Sequence, residues 1–192
     1  MFSLKNLSPS VTDMIRFDHS HVVVTFHQYV VTKRASVKKA LAETICDALE
    51  IHATLEEEVF YPAMRQLGLG RSVLAKSVPA HNDMRKVIAE IRAGDPNTPR
   101  YDQHVHELMR DVLHHVADEE TVLLPEAERM LSKDRLNALG AQMSKRRTQL
   151  LAPKAHRAAR NTVVVFLSSM AAIAVGLAGG LFAARLVSKK SA

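Results

Sequence analysis

The chain has 192 residues, 24% of them charged, and a formal net charge of +6 at pH 7. The basic excess is local, because residues 1–134 hold all 20 Asp and Glu but only sixteen of the 26 Lys and Arg. The part able to fold is therefore mildly acidic, which argues against a nucleic-acid partner despite the high overall pI.

The first residues, Met1-Phe2-Ser3-Leu4-Lys5-Asn6, lack the apolar run of a signal peptide, so a cytoplasmic location is expected for the domain that follows. Ser10-Val11-Thr12-Asp13 has the form of a capping box and opens a helix reaching about Lys33. Ser36 can cap a second helix toward Leu67, with Leu41, Ile45, Leu49, His52, Leu55, Glu56 and Val59 on one broad stripe. Within it Cys46, the lone cysteine, reads as a small core residue and excludes an intramolecular disulfide. Gly68 and Gly70 end that helix. A third carries His81 and stops at Gly94-Asp95-Pro96, with Pro79 expected in its first turn. Thr98-Pro99 opens a fourth helix through His115 toward Leu131, and Ser132 starts a shorter fifth to about Leu150. Pro62 and Pro125 should each kink their helix or interrupt its hydrogen bonding. Strand signals are nearly absent. The expected fold is an all-α, up-down four-helix bundle over residues 10–134, followed by a short helix and basic linker over 135–161.

Residues 162–184 carry no charge and would span roughly 35 Å as a helix, enough for a bilayer core. Lys145, Arg146, Arg147, Lys154, Arg157 and Arg160 lie before them, but only Arg185, Lys189 and Lys190 in the basic tail 185–192 lie after. This asymmetry predicts a single-pass anchor in the cell membrane, with the bundle on the cytoplasmic side; a buried core helix is the alternative. Ser168, Ala172, Gly176, Gly180 and Ala184 recur every four residues and could pair two such helices into a homodimer. Small residues are also simply common in membrane helices.

Two segments share one template: His52-x-x-x-Glu56 with Pro62, and His115-x-x-x-Glu119 with Pro125. Each follows a lone histidine by just over thirty residues, His19 in the first case and His81 in the second. Residues i and i+4 lie about 40° apart on a helix, so each His/Glu pair can serve one centre. Glu57, Glu58 and Glu120 are expected to point away as surface acids. His114 with Asp118 has the same spacing and stays open as an alternative to His115 with Glu119. Four imidazoles and two carboxylates without thiolate suit iron, manganese or zinc, not copper(I) or an iron–sulfur cluster. The Glu-x-x-His spacing of ferritin-like sites and the His-Glu-x-x-His of zinc peptidases are both absent. His21, His27, His104, His106 and His156 do not fit the pattern, although His27 and His104 are offset from a ligand by whole turns.

His19, His52-x-x-x-Glu56, His81 and His115-x-x-x-Glu119 together resemble a hemerythrin-like (HHE) domain over about residues 10–150. The resemblance implies two non-heme iron ions with an oxo or hydroxo bridge. It implies His19, His52, Glu56, His81, His115 and Glu119 as the metal ligands, the two carboxylates bridging. Oxygen-carrying hemerythrins have a further histidine one turn after the equivalent of His81, whereas this chain has Arg85. Two six-coordinate irons would then keep about two positions open. The implied function is to bind, sense or react with O2, peroxide or NO. An iron-responsive module, whose folding rather than chemistry depends on the metal, is the alternative.

Overall fold

The computed structural model describes residues 9–165, all-helical apart from short connections. Helix α1 spans Val11–Val31 and opens on the expected capping box: Ser10 accepts from the Asp13 backbone N–H, and the Asp13 side chain accepts from that of Ser10. Helix α2 spans Ala35–Leu55 and begins at Arg34 rather than at a Ser36 cap. A wide turn, Glu56–Phe60, joins it to α3, Tyr61–Gln66. Helix α4 covers Arg71–Ala93 and α5 covers Pro99–Asp118. A second wide turn, Glu119–Leu123, leads into α6, Leu124–Met130, and α7 spans Lys133–Leu151. Thr98 and Ser132 cap α5 and α7 as their sequence predicts, each accepting from the backbone N–H three residues on.

Pro79 departs from expectation. It lies inside α4, two turns past the start, because the left-handed Gly70 (φ 59°) lets the helix begin at Arg71. The Gly70 N–H bonds Glu126 Oε2 at 2.8 Å, and a Cβ there would strike Leu123. Pro79 is exposed and forgoes one intrahelical hydrogen bond.

The α1–α2 and α4–α5 hairpins form the four-helix bundle, and α7 lies outside against α1 and α2. The core has two apolar clusters. One gathers Ile15, Leu55, Phe60, Met64, Leu74, Leu123 and α7 residues such as Leu139 and Met143. The other gathers Val22, Phe26, Ile45, Leu49, Met84, Ile88, Leu108 and Val112. On every bundle helix the candidate ligand falls between them, as His19 does between Ile15 and Val22, so the site is a polar layer across an otherwise apolar core. Cys46 is fully buried in the second cluster, and burial pushes its thiol pKa up to about 12.

The basic segment folds back onto acidic α2 and the wide turn that follows it. Arg146 pairs with Glu58 (2.6 Å), Lys154 with Asp47 (2.8 Å) and Glu50 (2.7 Å), and Arg160 with Glu43 (2.8 Å). At the start of α7's contact with α1, a Cβ on Gly140 would lie 2.2 Å from the Pro9 carbonyl oxygen. Gly140→Ala gains about 1 kcal/mol in helix propensity, yet overpacking against backbone costs about 1–3 kcal/mol. A net loss near 1 kcal/mol in a urea titration is expected, and net stabilisation would show that this contact yields freely.

The expected placement as a single-pass membrane protein with a cytoplasmic domain is corrected. Among the described residues no helix is long and apolar enough to cross a membrane. The first residues of the supposed span instead continue a helix docked on the bundle. Asn161, just before the span, is buried with its Nδ2 3.5 Å from Thr44 Oγ1, and Val165 within it packs against the second core cluster. The remainder of 162–184, the small-residue stripe from Ser168 to Ala184 and the basic tail 185–192 lie outside the described residues.

Candidate metal centre

All six predicted site residues meet in the polar layer and are buried, Glu56 and Glu119 completely. Their imidazoles form two pairs, His19 with His52 (ring centroids 4.9 Å apart) and His81 with His115 (4.6 Å). Glu56 Oε2 lies 3.3 Å from His52 Nε2 and 3.4 Å from His81 Nε2. Glu119 Oε2 lies 3.4 Å from His19 Nε2 and 3.5 Å from His115 Nε2. Each carboxylate thus faces one imidazole of each pair, which is the arrangement a bridging ligand needs. Two sets of ligand atoms lie close enough to hold an ion: His19, His52, Glu56 and Glu119, and Glu56, His81 and His115. The alternative pair His114 and Asp118 is exposed and takes no part.

The prolines shape the helices just after the glutamates. Pro62 and Pro125 have no N–H for the carbonyls of Glu58 and Thr121, and their rings would crowd those oxygens. The chain widens into π turns at Glu56–Phe60 and Glu119–Leu123. In each, the N–H five residues after the glutamate, that of Tyr61 or Leu124, bonds the glutamate's carbonyl. Tyr61 then reaches inward. Its hydroxyl lies 2.8 Å from Glu56 Oε2 and 2.7 Å from Glu119 Oε1, and its ring stacks on His81. Its single proton serves one carboxylate at a time. Burial, then the charges of Glu56 and Glu119, raise its pKa, so it remains a neutral phenol.

Glu57 and Glu120 are not the surface acids that the helical wheel predicts. Glu57 Oε1 lies 2.8 Å from His81 Nδ1, and Glu120 Oε1 lies 2.8 Å from His19 Nδ1. Each acid follows a ligand on its own helix but orients a ligand on a neighbouring helix, a relation invisible within one helix's periodicity. Arg85, standing where a fifth histidine would be, donates to both oxygens of Glu57 (2.9 and 3.0 Å) and so bears on His81 through that carboxylate. Asp18 Oδ2 lies 3.5 Å from His52 Nδ1 and accepts from Arg147 of α7 at 2.6 Å. Such outer acids fix imidazole orientation and raise ligand basicity. His27 is exposed, contrary to a role beside the centre.

The inner atoms want cations. His19 Nε2, His52 Nε2, Glu56 Oε1 and Glu119 Oε2 are four of the five buried side-chain atoms with no hydrogen-bond partner among the described residues, the fifth being Arg147 Nε. Each such group costs about 1–3 kcal/mol, and these four belong to the candidate ligand set. The donor set, imidazole and carboxylate converging in a dry core, fits metal ions. Against the helices abuts a cavity of about 10 Å³, lined by the four histidines, Asp18 and the apolar Val22, Leu49, Met84, Val112 and Val116.

Burial would raise the Glu56 pKa, but the charge of His52 and hydrogen bonds with His115 and His81 hold it well below 4.5. Burial would lower the His19 pKa, but Glu119, Glu56 and Glu120 leave it above 6.5. The depressed carboxylate contributes stability that is complete above pH 4.5 and lost as pH falls through its folded value. The raised histidine contributes stability that is complete below pH 6.5 and lost as pH rises through its folded value. Metal-free protein should therefore be most stable between these limits. Urea titrations with a chelator should show a decline on both sides, whereas with iron added the alkaline decline should vanish, because protons no longer compete for the imidazoles.

Comparison with known proteins agrees with this geometry. Residues 10–150 match the hemerythrin HHE cation binding domain. The chain belongs to the hemerythrin HHE family. This HHE protein is also similar to a protein named DNA nickase from Nostoc sp. (strain PCC 7120 / SAG 25.82 / UTEX 2576), with 27% identity over 125 residues. That match covers 65% of this chain but only 35% of the relative, so the chain spans about a third of the relative's length. No solved structure matches it.

Proposed function

We propose that this HHE domain holds two iron ions in a centre made by His19, His52, Glu56, His81, His115 and Glu119, and that the loaded centre binds or reacts with O2, NO or peroxide. One observation carries the reading: among the described residues, four of the five buried side-chain atoms left without hydrogen bonds belong to this His/Glu set, the fifth being Arg147 Nε. When bound, the ions would supply Lewis acidity and one-electron chemistry that no side chain here offers. The chain's own residues divide the rest of the work. The histidines and the two glutamates would hold the ions, and Glu57, Glu120 and Asp18 would fix the ring orientations. The apolar wall of Val22, Leu49, Met84, Val112 and Val116 excludes water, and its small cavity favours a ligand of two or three atoms. A DNA-cutting role is not carried over from the nickase relative, because a centre this deeply buried admits no phosphodiester backbone.

Metal analysis of the purified chain after anaerobic loading with Fe(II) should give two irons per chain. Visible and near-ultraviolet spectra should then change on adding O2, NO or peroxide. Iron binding without any spectral response would favour the second reading, a module in which metal controls folding, since a metal that bridges four helices also stabilises them. Failure of the folded chain to bind iron would overturn both.

A further inference from the structure

The two halves of the site repeat one another, and the second half lacks one outer acid of the first. His19 and His81 each have an acid on Nδ1 at 2.8 Å, Glu120 and Glu57 respectively, and these two acids are equivalent in the repeat, although Glu57 is also held by Arg85. His52 has Asp18 at 3.5 Å, the residue preceding His19, and Asp18 itself accepts from both terminal guanidinium nitrogens of Arg147 at 2.6 Å. The residue preceding His81 is Ala80. Among the described residues, the only carboxylates within 4.0 Å of His115 are Glu56 and Glu119, and both approach its inner Nε2. Helix α7, which supplies Arg147, packs on α1 and α2, the helices of His19 and His52.

We infer that the two metal positions are unequal, the one held by His19 and His52 filling first and tightly because the Asp18–Arg147 pair braces His52, the one held by His81 and His115 remaining exchangeable. This rests on the metal-binding reading above. The ligand atoms show the same bias. Four of them, from His19, His52, Glu56 and Glu119, already lie together at the first position, against three at the second. An acid on the outer nitrogen fixes the ring and increases its basicity, and removing one typically weakens metal binding by about 10–100-fold. Asp18 and Arg147 are positioning residues here, since neither reaches the inner space itself.

The test is an anaerobic Fe(II) titration of the full-length metal-free chain against a chromogenic Fe(II) chelator, with Mössbauer spectra at one and two equivalents of iron. Wild type should show two steps separated by at least about tenfold, with one iron species at one equivalent and a second appearing at two. Asp18→Asn should weaken the first step by about 10–100-fold and leave the second unchanged, merging the two. Arg147→Gln should act in the same direction by less. Ala80→Asp, which restores the repeat, should tighten only the second step. A wild-type chain that takes up two irons in one indistinguishable step overturns the inference while sparing the metal-binding reading. So does an Asp18→Asn chain with both steps unmoved. Uptake of no iron overturns the reading beneath it. If Asp18→Asn loses its helical circular dichroism, Arg147→Gln and Ala80→Asp decide the matter alone.

Discussion

On the proposed two-iron reading, Glu56→Gln should cut the bound iron from two ions to one or none per chain while leaving the helical content intact. The substitution keeps the volume and lets the side chain still accept from Tyr61. It removes the charge that sits 3.3 Å from His52 Nε2 and 3.4 Å from His81 Nε2, one imidazole from each pair. Glu56 also belongs to both sets of atoms able to hold an ion. Losing an outer hydrogen-bond partner weakens a metal site by about 10–100-fold, so losing a ligand shared by two positions should exceed that. Glu58→Gln is the control. Glu58 is exposed and paired with Arg146, an interaction worth about 0–1 kcal/mol, and its loss should leave iron uptake unchanged. Two tightly held irons in Glu56→Gln would show that the carboxylate is not a shared ligand.

The six-residue cluster was legible because it is written twice. Spacing within one helix, His52 to Glu56 and His115 to Glu119, is a local property that periodicity reports directly, and the repeat separates His115 from His114. Helix ends marked by Ser10, Thr98 and Ser132 were equally local. What periodicity missed lies between helices. Glu57 and Glu120 act on histidines 24 and 101 residues away in sequence. Asp18 meets Arg147 across 129 residues. Tyr61 points inward only because the π turn before Pro62 shifts the helix register, and a uniform 3.6-residue wheel cannot show that. Pro79 was misplaced for the opposite reason: a local rule favouring first turns was overridden by the start that Gly70 permits. The basic segment misled through its charge. Arg146, Lys154 and Arg160, which suggested a flank beside a membrane, meet the acids of α2 and of the turn after it instead.

Tyr61→Phe should destabilise the metal-free protein far more than the iron-loaded one, and should tighten iron binding. In the metal-free chain the Tyr61 hydroxyl lies 2.8 Å from Glu56 Oε2 and 2.7 Å from Glu119 Oε1 and donates its proton to one of these buried carboxylates at a time. Removing it leaves fully buried carboxylates with one donor fewer, at a cost of about 1–3 kcal/mol. For a chain of this size that corresponds to about 2–4 °C in Tm per kcal/mol. Once cations occupy the inner space they neutralise the same two carboxylates, so the hydroxyl contributes less to the loaded state. The two states are linked by a cycle. Any interaction that stabilises the metal-free fold more than the loaded fold opposes binding, and each 1.4 kcal/mol of that difference is about tenfold in affinity. Phenylalanine keeps the ring that stacks on His81 and fills the same space, which isolates the hydroxyl from packing. Melting curves with chelator and with iron, together with chelator competition, read all three quantities. An equal fall in Tm in both states would mean that the hydroxyl still serves the loaded centre. Weaker iron binding would go further and make Tyr61 a seventh contributor to holding the metal.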